Sequence, residues 1–364
     1  MGAPHFKMSD LIRRHGIIVK SANFALYGDL SSRIVSILAG FTPRIEVYSI
    51  DESFLDLSGI ENLRDHCRKI QETVIQWTGV PVSVGVGPTK TLAKLANRLA
   101  KKQGQVVILS TLAERETALK TTEINDVWGI GYRRSPMLLA RGIQTAYQLT
   151  TVPEGWIRQK MGVTGLRTVR ELKGQPCDDL EIEPVDKKTV CVSRSFGKTM
   201  TDQTTLAEAV ATFADIAGSK IRKADLVAGR VVVFIESDRF QPNQPQYRNS
   251  AAIDFSPPRA SALAIHKATQ TCLNRIYREG IGYKRAGVYL LDLVKHDDAM
   301  RDLFSSEPPT SKDISKVTDQ LNARFGAGTI AIGRIKRERT WYMRQDMLSP
   351  HYTTRWSDIP TCRS

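Results

Sequence analysis

Residues 175–188 carry no hydrophobic period, and this break requires the chain to build more than one core. The stretch from Gln175 to Lys188 holds Pro176, Pro184 and a run of acids, which is the composition of a linker. On its N-terminal side, strand-like and helix-spaced patterns alternate to about residue 110, and helical spacing alone then continues to Gly174. On its C-terminal side, residues 189–294 run strand, helix, strand, strand, helix, strand, the split ferredoxin-like order. The predicted class is α+β with several domains. That topology hosts many activities, so function has to be argued from particular residues.

In the first part, Leu30, Ile34, Ile37, Leu38 and Phe41 share one helical face, with Asp29 expected as a cap at the helix start. Helices are also predicted over 61–77 and 89–102, and strands over 44–50, 53–57, 81–86 and 106–109. These elements are expected to form a layer of helices against an antiparallel sheet. No run of apolar residues is long enough to span a membrane, and Met1–Lys7 lack an apolar signal core, so a soluble cytoplasmic protein is expected. The five cysteines are scattered without a CxxC pair and are expected to be reduced thiols. A net charge of +14 points to a polyanionic partner, nucleic acid before membrane, since no basic amphipathic helix stands out.

Three segments carry the chemistry. In Tyr48–Leu57, two apolar strands flank Asp51 and Glu52. Carboxylates that close repel unless a cation intervenes, and Mg²⁺ favours carboxylate with phosphate and water oxygens; a solvated acidic turn is the alternative. In Ser83–Lys102, glycines end a strand and open a helix with Lys90, Lys94, Arg98 and Lys101 on one broad face and Leu92, Leu95 and Leu99 on the other. The helix N-terminus and the basic stripe suit phosphates, although no GxxxxGK[ST] loop is present; an ordinary solvated face is the alternative. In Ile124–Arg134, the turn Gly129-Ile130-Gly131 with Arg133 and Arg134 is expected to hold a DNA phosphate on backbone N–H groups without reading sequence; a plain helix–turn–helix corner is the alternative.

Taken in order, YSIDE-F-DLSG, SVGVGPTKTLAKLANRLAKK and DVWGIG resemble the Y-family translesion DNA polymerases. VCVSRSFGKTMTD and MLSPHYTTRWSDI resemble the UmuC-like branch specifically, the catalytic subunits of DNA polymerase V. The resemblance covers essentially the whole chain. It implies a right-hand polymerase: a fingers remnant at 1–15, a partial palm at 16–110, a helix-hairpin-helix thumb at 111–177, a linker at 178–188, a ferredoxin-like little finger at 189–296, and a UmuC-type C-terminal extension at 297–364.

The resemblance also implies roles. Asp51 and Glu52 fall on the metal-binding carboxylates of a two-metal Mg²⁺ site, and Lys101 on the lysine that contacts the incoming deoxynucleoside triphosphate. Gly129, Ile130 and Gly131, with Arg133, fall on the hairpin that tracks primer-template DNA. In the little finger, Arg194, Lys198, Arg230, Arg239 and Arg248 are the candidate phosphate contacts. Leu303 and Phe304 match the end of a short sliding-clamp peptide that here lacks its leading Gln. A UmuD-type subunit, the clamp and a RecA filament are the implied partners, and the basic aromatic tail from Arg334 to Trp356 suits either single-stranded DNA or the UmuD-type subunit. The expected function is error-prone synthesis over damaged template in SOS repair.

Lys102 stands where many relatives carry proline. The family's opening strand, with its first metal-binding aspartate, its aromatic gate and its triphosphate-binding fingers residues, has no match here. The chain is therefore expected to begin late relative to the family and to leave the metal site incomplete. The alternative function is a non-catalytic remnant that binds DNA and partners. A nucleotide cyclase, which also uses a carboxylate hairpin, fits neither the thumb turn nor the little finger.

Overall fold

The computed structural model describes residues 3–103, 106–183, 186–299, 309–326, 328–331, 341 and 346–362. They divide into two compact units, one of Met1–Val185 with Met347–Ser364 and the other of Asp186–Asp346.

The first unit opens with helices α1 (Ser9–His15) and α2 (Phe24–Ala39). The cap of α2 is Asn23, whose side chain accepts from the Leu26 N–H. Asp29, expected as that cap, lies inside the helix and pairs with Arg33 one turn on, at 2.9 Å. Strands β1 (Ile45–Val47) and β2 (Ser53–Leu55) form a short antiparallel hairpin, followed by α3 (Leu63–Thr78). Next come β3 (Gly85–Val86), α4 (Lys90–Gln103) and β4 (Val107–Ile108). β3 and β4 pair in parallel, which corrects the expected antiparallel sheet. A strand–helix–strand crossover brings its second strand back in the same direction, so the intervening α4 dictates parallel pairing. Close approach of α4 requires Gly85, where a Cβ would lie 1.9 Å from the Asn97 nitrogen.

Among the described residues, β2 pairs only with β1 and β3 only with β4. β2, β3 and Ile108 of β4 line one cleft of about 1200 Å³, together with Leu30, Ile34, Leu38, Ile70 and Val74 of α2 and α3.

Helices α5 (Leu112–Thr121), α6 (Ser135–Ala140), α7 (Ala146–Thr150) and α8 (Glu154–Leu172) complete the unit, and α8 kinks at Gly162. Leu92, Leu95 and Ala96 of α4 are buried in the same core as Leu138, Leu149, Ile157 and Val169 from these helices. The join is sealed by Glu171, only 1% exposed. Its carboxylate accepts from the Thr91 N–H at 3.0 Å and the Thr91 hydroxyl at 2.6 Å, and more weakly from the Cys177 and Asp178 N–H groups. The N-terminus of α4 is thus capped from within by a protein carboxylate.

The second unit is a four-stranded sheet in the order β5 (Val190–Met200), β8 (Tyr283–Lys295), β6 (Leu226–Ser237), β7 (Arg248–Arg259). Helices α9 (Gln203–Lys223) and α10 (Ala262–Ile276) cover one face, and Leu206, Val210, Phe213, Ile265 and Leu273 meet Val231, Val233, Ile235, Val288 and Leu290 in its core. This is the split order read from the sequence. Helix α11 (Pro309–Phe325) joins the unit through Arg222, which donates to both Asp319 oxygens at 2.6 and 3.0 Å. Trp341 is buried against Phe196 and Phe213.

Removing the Glu171 carboxylate strands two buried Thr91 donors at once. The Glu171→Ala substitution is expected to lower stability by about 3 kcal/mol in urea denaturation, with Thr91→Val costing about 1 kcal/mol.

Candidate active site and nucleic-acid interface

Tyr48–Glu52 turn the β1–β2 hairpin, and the Ser49 N–H donates to the Glu52 carbonyl at 3.0 Å to close it. Asp51 is exposed, and its carboxylate accepts from the Ser49 hydroxyl at 2.6 Å. Glu52 turns the other way in its bonding, accepting from Lys94 Nζ at 2.6 Å. One turn earlier on α4, Lys90 pairs with the nearly buried Glu46 of β1 at 2.5 Å. These two ion pairs bolt the hairpin to α4.

An aromatic cluster packs over them. Tyr48, Phe54 and Trp128 lie with ring centres 5.6–6.0 Å apart. Lys94 sits 5.5 Å from the Tyr48 ring centre and 5.9 Å from that of Trp128, and Lys90 sits 5.4 Å from that of Phe54. Rings on a cation lower its exposure to water while keeping favourable electrostatics. The basic stripe of α4 is therefore largely spent inside the protein: Lys90, Lys94 and Arg98 each hold an acid, the last being Asp126. Lys101 is exposed and lines the same cleft as Asp51, Glu52 and Lys94. The sequence gives no sign of the Lys94–Glu52 partnership, because it joins residues far apart in the chain.

Among the described residues, no group of three or more His, Cys, Asp or Glu forms that could hold a metal. The donors at the hairpin are two hard carboxylates, which suit a Mg²⁺ ion that takes its remaining ligands from phosphate and water. Asp51 and Glu52 fit such an ion provided Glu52 is shared with, or released by, Lys94.

The turn at 129–131 follows Trp128 directly. Gly129 adopts φ +88, a left-handed conformation that favours glycine, and the Thr168 hydroxyl lies 3.0 Å from where a Cβ would stand. The Ile130 N–H donates to the Val127 carbonyl at 3.0 Å, so it is not offered outward. Among the described residues, the Gly129 and Gly131 N–H groups have no hydrogen-bond partner. Arg134 braces the turn from behind, donating to the Gly129 and Met161 carbonyls and to Thr164, whereas Arg133 and Tyr132 are exposed.

In the second unit, Arg230 and Arg248 lie on the sheet face opposite the helices. Each holds an acid there: Asp254 at 2.5 Å for Arg230 and Glu236 at 3.0 Å for Arg248. Arg285, which sequence reading missed, shares that face through Glu236; its alternation with buried Ala286 and Val288 was the available signal. Arg194 sits opposite core-facing Ala286 on edge strand β5 and so projects to the other side. Lys198 is exposed further along that strand, and Arg239 lies against Phe240 in the β6–β7 loop. Leu303 and Phe304 lie outside the described residues, as does most of the basic tail from 332 to 345. All five cysteines are free thiols. Burial pushes the Cys67 thiol up to about 11.

Family models for the impB/mucB/samB family match residues 1–98, and those for its C-terminal domain match 187–303. A domain of unknown function (DUF4113) matches 312–362. The chain is 40% identical to protein UmuC of Salmonella typhimurium over 98% of its own length and 87% of that protein. The chain belongs to the UmuC-like impB/mucB/samB family of Y-family polymerases. Protein ImpB of Salmonella typhimurium is 36% identical over all of this chain and 88% of that protein. Among solved structures, a Y-family DNA polymerase chimera of Dbh and Dpo4 shares the fold with a TM-score of 0.58 and 20% identity, over 75% of this chain and 78% of that one. Among the described residues no helix is long and apolar enough to cross a membrane.

Glu52 and Lys94 are both less than a third exposed, so their attraction is only partly screened. A double-mutant cycle of Glu52→Gln and Lys94→Met in urea is expected to give a coupling of about 1 kcal/mol, larger at low salt.

Proposed function

We propose that this chain is a DNA-directed DNA polymerase of the UmuC-like type, carrying out error-prone synthesis over damaged template in the cytoplasmic SOS response. Family membership supports the reaction class. One observation supports the placement of its chemistry: Asp51 and Glu52 share a single cleft with Lys101.

In this reading Asp51 and Glu52 hold Mg²⁺, whose role when bound is to neutralise the phosphates of a deoxynucleoside triphosphate. Lys101, exposed at the cleft, attracts the triphosphate. Lys94 orients the Glu52 carboxylate through a hydrogen bond of 2.6 Å. Gly129 and Gly131 offer backbone donors to the duplex backbone, with Arg133 adding charge beside them. Lys198, Arg230, Arg239 and Arg248 supply the electrostatic hold of the second unit, and Arg194 adds to it from the sheet edge. A UmuD-type subunit, a sliding clamp and a RecA filament are the partners that family membership supports.

Primer extension on a template bearing an abasic site tests the catalytic reading. Activity with Mg²⁺ is expected, reduced about a hundred-fold or more by Asp51→Asn or Glu52→Gln with DNA affinity retained. Retained DNA binding with no extension by the unsubstituted chain would establish the binding-only role instead.

The charge of the second unit also sets a salt dependence. Lys198 and Arg239 have no acidic partner among the described residues, so each is free to release a counterion. Lys198→Ala and Arg239→Ala are each expected to flatten the log–log salt slope of duplex binding by about 0.9, measured by fluorescence anisotropy. An unchanged slope would remove these residues from the interface.

A further inference from the structure

A stretch of prolines and acids without hydrophobic period predicts a free connector, yet the first half of residues 175–188 is seated in the first unit. The Cys177 and Asp178 N–H groups donate to the buried Glu171 carboxylate at 3.3 Å, and the Asp178 carboxylate pairs with Arg167 of α8, also at 3.3 Å. The Asp179 carbonyl accepts from Lys90 Nζ at 2.6 Å, and the Glu181 N–H donates to the Glu46 carboxylate at 3.0 Å. Backbone groups from Cys177 to Glu181 therefore bond to α8, α4 and β1 in turn. Asp178, Asp179 and Leu180 line the same cleft as Asp51 and Glu52.

Two of these bonds fall on a single ion pair. Lys90 and Glu46 meet at 2.5 Å with side chains only 10% and 9% exposed. A pair this deep is stable only where its remaining protons and lone pairs also find partners. An ammonium carries three N–H donors. Glu46 takes one from Lys90, the Asp179 carbonyl takes another, and the Phe54 ring centre lies 5.4 Å from Nζ. On the acid's side, the Glu181 N–H binds the same Glu46 oxygen, Oε2, that Lys90 meets. The linker backbone thus serves both halves of the pair. That pair joins β1 to α4, and β1 carries β2 and the Asp51–Glu52 tip with it through the hairpin register.

Resting on the metal-binding role proposed above for Asp51 and Glu52, we infer that residues 178–181 are a positioning segment of that site. Their backbone seats the Lys90–Glu46 pair and, through β1, places the two carboxylates of the hairpin tip. Glu181 acts at one remove, in the way outer hydrogen-bond partners orient the ligands of a metal site. Its own side chain is exposed, so the contribution is that of its N–H.

The test compares, in the full chain, Glu181→Pro, which deletes the N–H, with Glu181→Ala, which keeps it. Mn²⁺ affinity is read by electron paramagnetic resonance, and the order of the hairpin by hydrogen exchange over residues 45–55. Glu181→Pro is expected to weaken Mn²⁺ binding about ten-fold and to speed exchange in the hairpin, whereas Glu181→Ala is expected to match the unsubstituted chain in both. Inserting two glycines between Leu180 and Glu181 withdraws the N–H without a proline and is expected to act as Glu181→Pro does. In a Glu46→Leu, Lys90→Met background, where an apolar contact replaces the pair, the proline is expected to cost nothing further. Circular dichroism checks that each variant is folded. Equal Mn²⁺ affinity in the proline, insertion and alanine forms overturns the positioning role alone, as does a proline effect that persists without the pair. An unsubstituted chain that binds no Mn²⁺ overturns the metal reading and this inference with it.

Discussion

The Lys94–Glu52 and Lys90–Glu46 ion pairs are the constraint on which the candidate site depends. The β1–β2 hairpin has few residues and few backbone bonds of its own, so something else must fix its acidic tip. Two lysines one helical turn apart on α4 do so, seated on Tyr48, Phe54 and Trp128. The same helix is held at its N-terminus by Glu171 of α8 and buries Leu92 and Leu95 in the helical core. The acidic hairpin and Lys101 therefore inherit their positions from one helix. The Lys94 charge offsets that of Glu52, which it meets at 2.6 Å.

Much of this was legible in the sequence. The strand-like runs around Asp51 and Glu52 foretold the β1–β2 hairpin that carries them, and the β-α-β-β-α-β order of the second unit followed from period and length alone. Local signals failed where tertiary partners decide. The α4 stripe left a phosphate-binding face and an ordinary solvated face both open, and tertiary partners decide most of it: Glu46, Glu52 and Asp126 pair with Lys90, Lys94 and Arg98. Its N-terminus looked free for an anion, yet a carboxylate from α8 fills it. Asp29 looked like a cap because it is acidic and near a helix start, while the structure begins the helix earlier and gives that task to Asn23. Arg285 escaped notice because its importance lies in facing Glu236 across a strand pair.

The region matching the domain of unknown function is anchored at several points. Within the second unit, α11 is fixed by the Arg222–Asp319 pair and by the Ser315 hydroxyl, which accepts from the Ala262 N–H, and Trp341 fills space beside Phe213. Within the first unit, Met347 accepts from the Ser21 N–H at 2.9 Å, and the buried Asn23 donates to Ser349. Asn23 thereby joins two tasks, capping α2 with its oxygen and holding residue 349 with its amide nitrogen. The extension is thus part of the packing of each unit.

The central claim is that Asp51 and Glu52 act together as ligands of one divalent ion at the lip of the cleft. Anomalous scattering from crystals soaked in Mn²⁺ and a deoxynucleoside triphosphate tests it most directly. A peak at ligand distance from both carboxylates, with Lys94 Nζ moved off or sharing Glu52, is expected. A peak bound elsewhere, or Lys94 still closed on Glu52 with no ion beside Asp51, would contradict it.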